Sequence, residues 1–340
     1  MKDQIKIGIV GCGAVAEILH LPALLERNDI CVSAFVDYNL QRAEFLALKS
    51  RAKAFRTIKE ALSKIDAAII ALPHALHSTA AIELLKAGKH VLVEKPMAMT
   101  LKECDEMIDA SEMGSATLTI GQMRRFCPAI MATKCFLKSG IIGKIKSFTI
   151  LEGGVFSWPV TSDYLLRKET AGGGVLVDTG AHTFDMILWL FGDVESLDYR
   201  DDAFGGVEAD CEVHMQMNSG AEGYVELSRT RNLSADLQIV GEKGCIVVNY
   251  IKNQLDLELD GIKIDTFKID AKNEYGSDIN IWSFMIKRQL QDWVESLYGK
   301  KAASVPGFEG RRVVEFFERC YLQRRPLEFP WVQLDTLKAL

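Results

Sequence analysis

Over its first third the chain alternates two textures. Short apolar runs at 5–10, 31–37, 67–72, 90–94 and 117–121 are separated by helical patterns, among them 41–49, 79–87 and 101–113. Strand and helix signals in alternation predict βαβ units and a parallel sheet. Val91-Leu92-Val93 is apolar at successive positions, as in a strand covered on both faces. Beyond about Pro128 the texture changes. A helix-like segment at 129–138 leads through Ser139-Gly140 to a run at 144–151, and several strand-length runs with turns occupy 194 to about 269. Residues 211–217 alternate apolar and polar, the pattern of a sheet with one wet face. Glu242-Lys243-Gly244 reads as a hairpin turn between 237–240 and 246–250. Helical patterns return at 279–298 and 309–322.

Length and composition narrow the class. A chain of 340 residues is long for one hydrophobic core, so two domains are expected. At 48% hydrophobic residues it is globular, and a net charge of −6 argues against nucleic acid as a partner. No apolar stretch approaches the length of a membrane span, and Met1-Lys2-Asp3-Gln4 runs into a strand without the layout of a signal peptide. Eight cysteines without C-x-x-C spacing suggest neither a zinc site nor a disulfide framework. Reduced thiols in a cytoplasmic protein are the simpler expectation.

The chemistry begins at Gly11-Cys12-Gly13-Ala14-Val15-Ala16, which follows the first strand and opens a helix. Gly11 permits a tight turn, Gly13 lets the backbone approach a pyrophosphate, and Ala16 allows close helix packing. A helix N-terminus supplies N–H groups for the phosphates. Asp37 closes the second strand 26 positions after Gly11, where an acid bonds the ribose hydroxyls and repels a 2′-phosphate. That favours NAD over NADP; the competing reading is a solvated loop acid. The first 122 residues are therefore expected to be a Rossmann dinucleotide-binding domain. Residues 123–340 are expected to form an α/β domain with a large open, mostly antiparallel sheet.

Two further segments carry reactive side chains. Residues 88–96 end a buried strand on Glu94-Lys95-Pro96, which places Lys95 at a strand's carboxyl end, where open α/β sheets bind ligands. Residues 171–185 form a glycine-rich loop entering an apolar helix, with Asp178 and His182 four apart on one face and Asp185 three further. A carboxylate orienting an imidazole is a standard acid–base arrangement. Three other readings stand beside it: Asp178 as an N-cap, His182 as a satisfied core histidine, or the trio as metal ligands.

Together these residues resemble the glucose–fructose oxidoreductase / inositol dehydrogenase (Gfo/Idh/MocA) family. The resemblance rests on residues 11–16, Leu72-Pro73-His74-Ala75-Leu76-His77, 87–96, Arg125-Phe126-Cys127-Pro128 and 172–185, in that order. It implies an NAD(P)-dependent oxidoreductase acting on sugars, polyols or sugar nucleotides. By position Lys95 matches the active-site lysine, Asp178 and His182 the acid and histidine of the substrate-side motif, and Asp37 the ribose acid of NAD-preferring members. Cofactor contacts are expected from Gly11, Cys12, Gly13, Ala14, Val15, Asp37, Leu72, Pro73, His77, Glu94, Lys95 and Arg125, and no metal is expected. Leu72-Pro73-His74 departs from the common Thr-Pro-Asn.

The expected reaction moves a hydride between the nicotinamide and a secondary alcohol. Lys95, Asp178 and His182 are the catalytic candidates, and they also touch substrate. In the loop 157–168, Trp158 and Tyr164 could stack on a sugar ring, and Arg167 or Lys168 could meet an anionic group. The same residues could instead pack under the loop or lie solvated, and Arg124 and Arg125 could face substrate or cap the domain junction. Rival readings are an NADPH-dependent ketoreductase, a glycosidase using bound NAD, and a non-catalytic dinucleotide-sensing regulator. The half-wet second sheet suggests a homodimer or homotetramer.

Overall fold

A computed structural model describes residues 4–157, 159, 163–203, 206–268 and 280–328. The first sheet contains β1 (Ile5–Val10), β2 (Ile30–Val36), β3 (Lys53–Phe55), β4 (Ala67–Ile70), β5 (His90–Glu94) and β6 (Leu118–Gly121), in the order β3-β2-β1-β4-β5-β6. Every neighbouring pair is parallel. Helices Leu40–Ser50, His77–Lys86 and Leu101–Met113 cover it, so β4 is buried along its whole length. The last of these helices opens on a capping box between Thr100 and Glu103. The edge strand β3 was not expected: it has three residues and no apolar run. Pairing with β2 creates it, continued by the Asp37 N–H donating to Phe55 O at 3.1 Å.

Strand order reverses between β1 and β4, which opens a crevice at the carboxyl ends of these strands. The chain leaves β1 through Gly11 at φ +92°, and a Cβ there would lie 2.3 Å from Ala71 O. Only glycine fits that turn.

The second sheet has nine strands: β7 (Ile145–Gly153), β8 (Val194–Asp201), β9 (Asp210–Met217), β10 (Glu222–Ser228), β11 (Asp236–Gly241), β12 (Gly244–Asn249), β13 (Gln254–Leu259), β14 (Ile262–Lys268) and β15 (Arg325–Pro326). Their order is β14-β13-β12-β11-β7-β10-β9-β8-β15. The sheet is mixed: β7–β10 and β8–β15 are parallel and the other neighbours antiparallel. The expected hairpin joins β11 to β12.

Helix Val175–Phe191 lies on one face of this sheet and is apolar on nearly every side. Phe191 stacks on Phe148 of β7 at 4.1 Å, and Phe184 on Phe316 at 4.3 Å. The last two described helices, Ile281–Leu297 and Gly307–Leu322, do not stay with the second sheet. The latter also packs on Leu101–Met113, and the Ile120 N–H of β6 donates to Val305 O at 2.9 Å. The two sheets are thereby held against each other, with the crevice between them.

A Gly11→Ala variant must place a side chain at positive φ, which costs about 1–2 kcal/mol, and must also displace the Ala71 carbonyl. Urea denaturation should show a loss of at least that size. Wild-type stability would mean that the turn is not closely packed.

Candidate active site

At the crevice's first-sheet end, the glycine turn and Asp37 form one unit. Asp37 Oδ2 accepts the Cys12 N–H at 2.8 Å and Oδ1 accepts the Asn39 N–H at 2.9 Å, leaving each oxygen a free lone pair. Arg42 Nε donates to Cys12 O at 2.9 Å. Burial, and then the Asp37 charge, push the Cys12 thiol up to about 12, so it is an inert packing group. Ala14 and Val15 open the following helix and are partly exposed, and no atom lies within 4 Å of where a Gly13 side chain would stand. An open approach to free helix N–H groups, beside a carboxylate with lone pairs to spare, fits a pyrophosphate and a ribose. Leu72 lies against the turn, 3.0 Å from the position of a Gly11 Cβ, and Pro73 beside it is half-buried.

His77 is fully buried, with Nδ1 2.8 Å from Pro96 O and Nε2 2.9 Å from Leu72 O. Burial lowers its pKa, so the neutral ring donates to one of the two carbonyls. Both of its ring nitrogens face backbone carbonyls, so neither is turned toward the dinucleotide path. It fastens the Leu72 loop to the lysine strand end instead.

Lys95 directly follows β5 and crosses the crevice: Nζ donates to Asp178 Oδ1 at 2.7 Å and to Asp178 O at 3.0 Å. Its neighbour Glu94 bonds His20 Nε2 at 2.7 Å. Burial works against ionisation of Glu94, but His20 and Lys95 overcome it and hold the carboxyl below its ordinary range. Asp178 shows the same contest more strongly. Burial opposes its charge, yet Lys95 and Arg229, whose Nη2 donates to Oδ2 at 2.7 Å, hold it well below the carboxylate range.

The expected carboxylate–imidazole bond is absent. Both Asp178 oxygens meet cations, and Asp185 is bonded by Arg125 at 2.8 and 2.7 Å. Asp178, His182 and Asp185 therefore face different surroundings and do not converge on one point. Asp178 is not an N-cap either. Its N–H bonds Gly174 O at 3.0 Å, inside the first turn. The cap is Glu208, whose Oε1 accepts N–H groups of Gly174 at 2.7 Å and Leu176 at 3.1 Å.

His182 is buried, its Nδ1 has no hydrogen-bond partner among the described residues, and its neighbour Thr183 is fixed by Glu152 and Arg124. Burial, then the charges of Lys95 and Arg124, push its pKa well below the usual imidazole value, against a smaller opposing pull from Asp178. A buried imidazole without a bonded nitrogen is not a satisfied core histidine.

The remaining expectations divide. Tyr164 is at the site: its ring meets His74 edge-on at 5.7 Å, and burial, then Asp178 and Glu94, push its hydroxyl up to about 12. Arg167 is not, being an exposed side chain paired with exposed Asp163; Lys168 is also exposed. Arg125 is buried and paired with Asp185 and Glu309, so its Nε and Nη2 brace the domain junction. Arg124 is likewise buried against Glu152. Trp158 lies outside the described residues.

The structure adds two residues. His74 Nδ1 lies 2.8 Å from Ala171 O, so Nδ1 carries the proton and Nε2 the lone pair. Burial, then His77 and Lys95, lower its pKa to about 3. The departure from Thr-Pro-Asn marked this position in the sequence. Arg229, just beyond β10, carried no such mark.

A helix terminus shaped for phosphates at one end of a crevice and a proton-handling cluster at the other are the working parts of a dinucleotide-dependent oxidoreductase. Comparison with known proteins agrees. Residues 5–122 match the family model described as oxidoreductase family, NAD-binding Rossmann fold, and residues 130–247 match the GFO/IDH/MocA C-terminal domain. The chain belongs to the Gfo/Idh/MocA family of NAD-binding oxidoreductases. It is 25% identical over 342 residues to glucose-6-phosphate 3-dehydrogenase of Bacillus subtilis, covering 92% of this chain and 96% of that one. It is 27% identical over 263 residues to myo-inositol 2-dehydrogenase of Thermotoga maritima, covering 73% and 76%. The solved complex of levoglucosan dehydrogenase with NADH and levoglucosan superposes with a TM-score of 0.83 at 22% identity, covering 94% and 97%.

Burial holds His74, His77 and His182 neutral, with folded pKa values below the unfolded value of about 6.5. Unfolding then takes up protons as pH falls below about 6.5, weakening the fold by up to about 1.4 kcal/mol per pH unit for each ring. Asp185 and Glu208, raised by burial, push the other way at lower pH. The melting temperature should therefore fall between pH 7.5 and 5.5. A flat or rising profile would show that these rings are not buried as neutral groups.

Proposed function

We propose that this protein is an NAD-dependent dehydrogenase that oxidises a secondary hydroxyl of a sugar or polyol, with His182 as the base and Lys95 as the donor to the reacting oxygen. The observation that carries this reading is the buried, unbonded imidazole of His182 beside the Lys95–Asp178 pair. Gly13, Ala14, Val15 and Asp37 would hold the dinucleotide, and Leu72 and Pro73 would line its path. Bound nicotinamide supplies two-electron hydride exchange. His182 takes the hydroxyl proton on Nε2, with the other proton on Nδ1. Lys95 has three N–H donors and gives two to Asp178, so the third is available to the oxygen as negative charge develops on it. Asp178 fixes Lys95 in place rather than orienting the imidazole. The low pKa of His182 keeps its ring unprotonated at neutral pH, so a lone pair is available for the hydroxyl proton.

Oxidation of relatives' substrates is the natural starting screen, since the relatives are named for glucose 6-phosphate, inositol and levoglucosan. The wet face of the second sheet, with His214 and Val240 exposed, supports a homo-oligomer built on that sheet. Eight free cysteines support a reducing compartment such as the cytoplasm. Among the described residues no helix is long and apolar enough to cross a membrane.

A sugar and polyol panel assayed by NADH absorbance tests the activity. Against the best substrate, His182→Asn should lower kcat roughly 100- to 10,000-fold while NADH still binds. Lys95→Ala should lower it roughly 100- to 1,000-fold. Full activity in either variant removes that residue from the chemistry. Because Asp37 repels a 2′-phosphate, kcat/KM should favour NAD over NADP, and the reverse preference would defeat its assignment. The profile of kcat/KM against pH should lack a limb near pH 6.5.

A further inference from the structure

Arg229 stands at the carboxyl end of β10, where its Nη2 donates to Asp178 Oδ2 at 2.7 Å on the opposite side from Lys95. Its side chain is only 11% exposed, and its guanidinium lies over the ring of Phe156, 5.2 Å from the centroid. Among the described residues this is the side chain's one hydrogen bond; Nε is buried with no partner. A guanidinium is always charged and carries five donors in a planar fork. Native structures seldom leave such groups unmatched when water is kept away.

Two cations also converge on one carboxylate. Lys95 and Arg229 share the single carboxylate of Asp178, while the nearby Glu94 carboxylate is bonded to His20. The two imidazoles facing this cluster, His74 and His182, are neutral.

We propose that Arg229 is a substrate-binding residue that receives an anionic group of the sugar, a carboxylate or a phosphate ester, beside the reacting hydroxyl held by Lys95. This rests on the dehydrogenase reading and narrows its substrate class. A planar fork suits both anions, since either presents two oxygens to parallel N–H groups. The Phe156 ring under the guanidinium holds its plane and excludes water from one face.

Calorimetric titration of the NADH-loaded full-length protein tests this with D-glucose, D-glucuronate and D-glucose 6-phosphate. A charge-assisted contact should make at least one anionic sugar bind roughly 10- to 150-fold more tightly than D-glucose. Tighter glucuronate identifies a carboxylate site, and tighter glucose 6-phosphate a phosphate site. In Arg229→Gln the preference should fall below about threefold, and Arg229→Lys should retain part of it. Equal affinities in the wild type, including no measurable binding of either anion, overturn the proposal, as does a preference that survives in Arg229→Gln. If Arg229→Gln does not fold, the wild-type ratio and the lysine variant still decide. Absence of turnover with every sugar and polyol would instead defeat the dehydrogenase reading and leave the binding ratio to judge Arg229.

Discussion

The crevice depends on the ion pair between Lys95 and Asp178. One partner directly follows a strand of the first sheet; the other sits in the first turn of the helix on the second. A pair this buried brings little net stability, because both charges lose water, but breaking it would strand a charge in a poor solvent. What it supplies is position. The same helix is held by three more polar contacts across the junction: His74 to Ala171 O just before it, Gln122 to Ala181 O, and Arg125 to Asp185. Each comes from the first sheet's loops or the short 123–126 turn, so the helix cannot shift without losing several of them. Proton-handling groups are effective only when geometry is fixed in advance, and these contacts fix it.

Sequence reasoning reached the features that are local. The glycine turn, the strand ending on Lys95 and the helix bearing Asp178 and His182 are each written in a few consecutive residues. It failed where a side chain's role is set by distant partners. Arg125 and Arg167 are both plain cations in sequence. One is buried between Asp185 and Glu309, 60 and 184 residues away, and the other lies in the open beside Asp163. Asp178 and His182 share a helix face, which made a bond between them the natural expectation. The cations at 95 and 229 took the carboxylate instead. β3 escaped because three residues of an edge strand need no apolar run when β2 supplies the pairing.

The electrostatics follow from the same burial. Desolvation removes charge from His74, His77 and His182, whereas Asp178 keeps its charge because Lys95 and Arg229 face it. The site therefore holds neutral bases beside fixed cations. That combination sets an unprotonated proton acceptor and a positive charge around one point in the crevice.

Two helix N-termini open toward the crevice, and the chain treats them oppositely. At Ala14 and Val15 the N–H groups are left open, and Gly13 leaves space beside them. At Val175 they are closed from within. Glu208 accepts from Gly174 and Leu176 and also from the Tyr321 hydroxyl, while its backbone carbonyl takes the Val175 N–H. A Cβ on Gly174 would fall 1.9 Å from that Glu208 carbonyl oxygen, so the cap sits tightly. Phosphate recognition by backbone is thereby confined to the first helix. On the substrate side the helix terminus is neutralised, and any selectivity for charge must come from side chains. That places the discriminating burden on the guanidinium of Arg229 and the ammonium of Lys95, which share one carboxylate and have donors to spare.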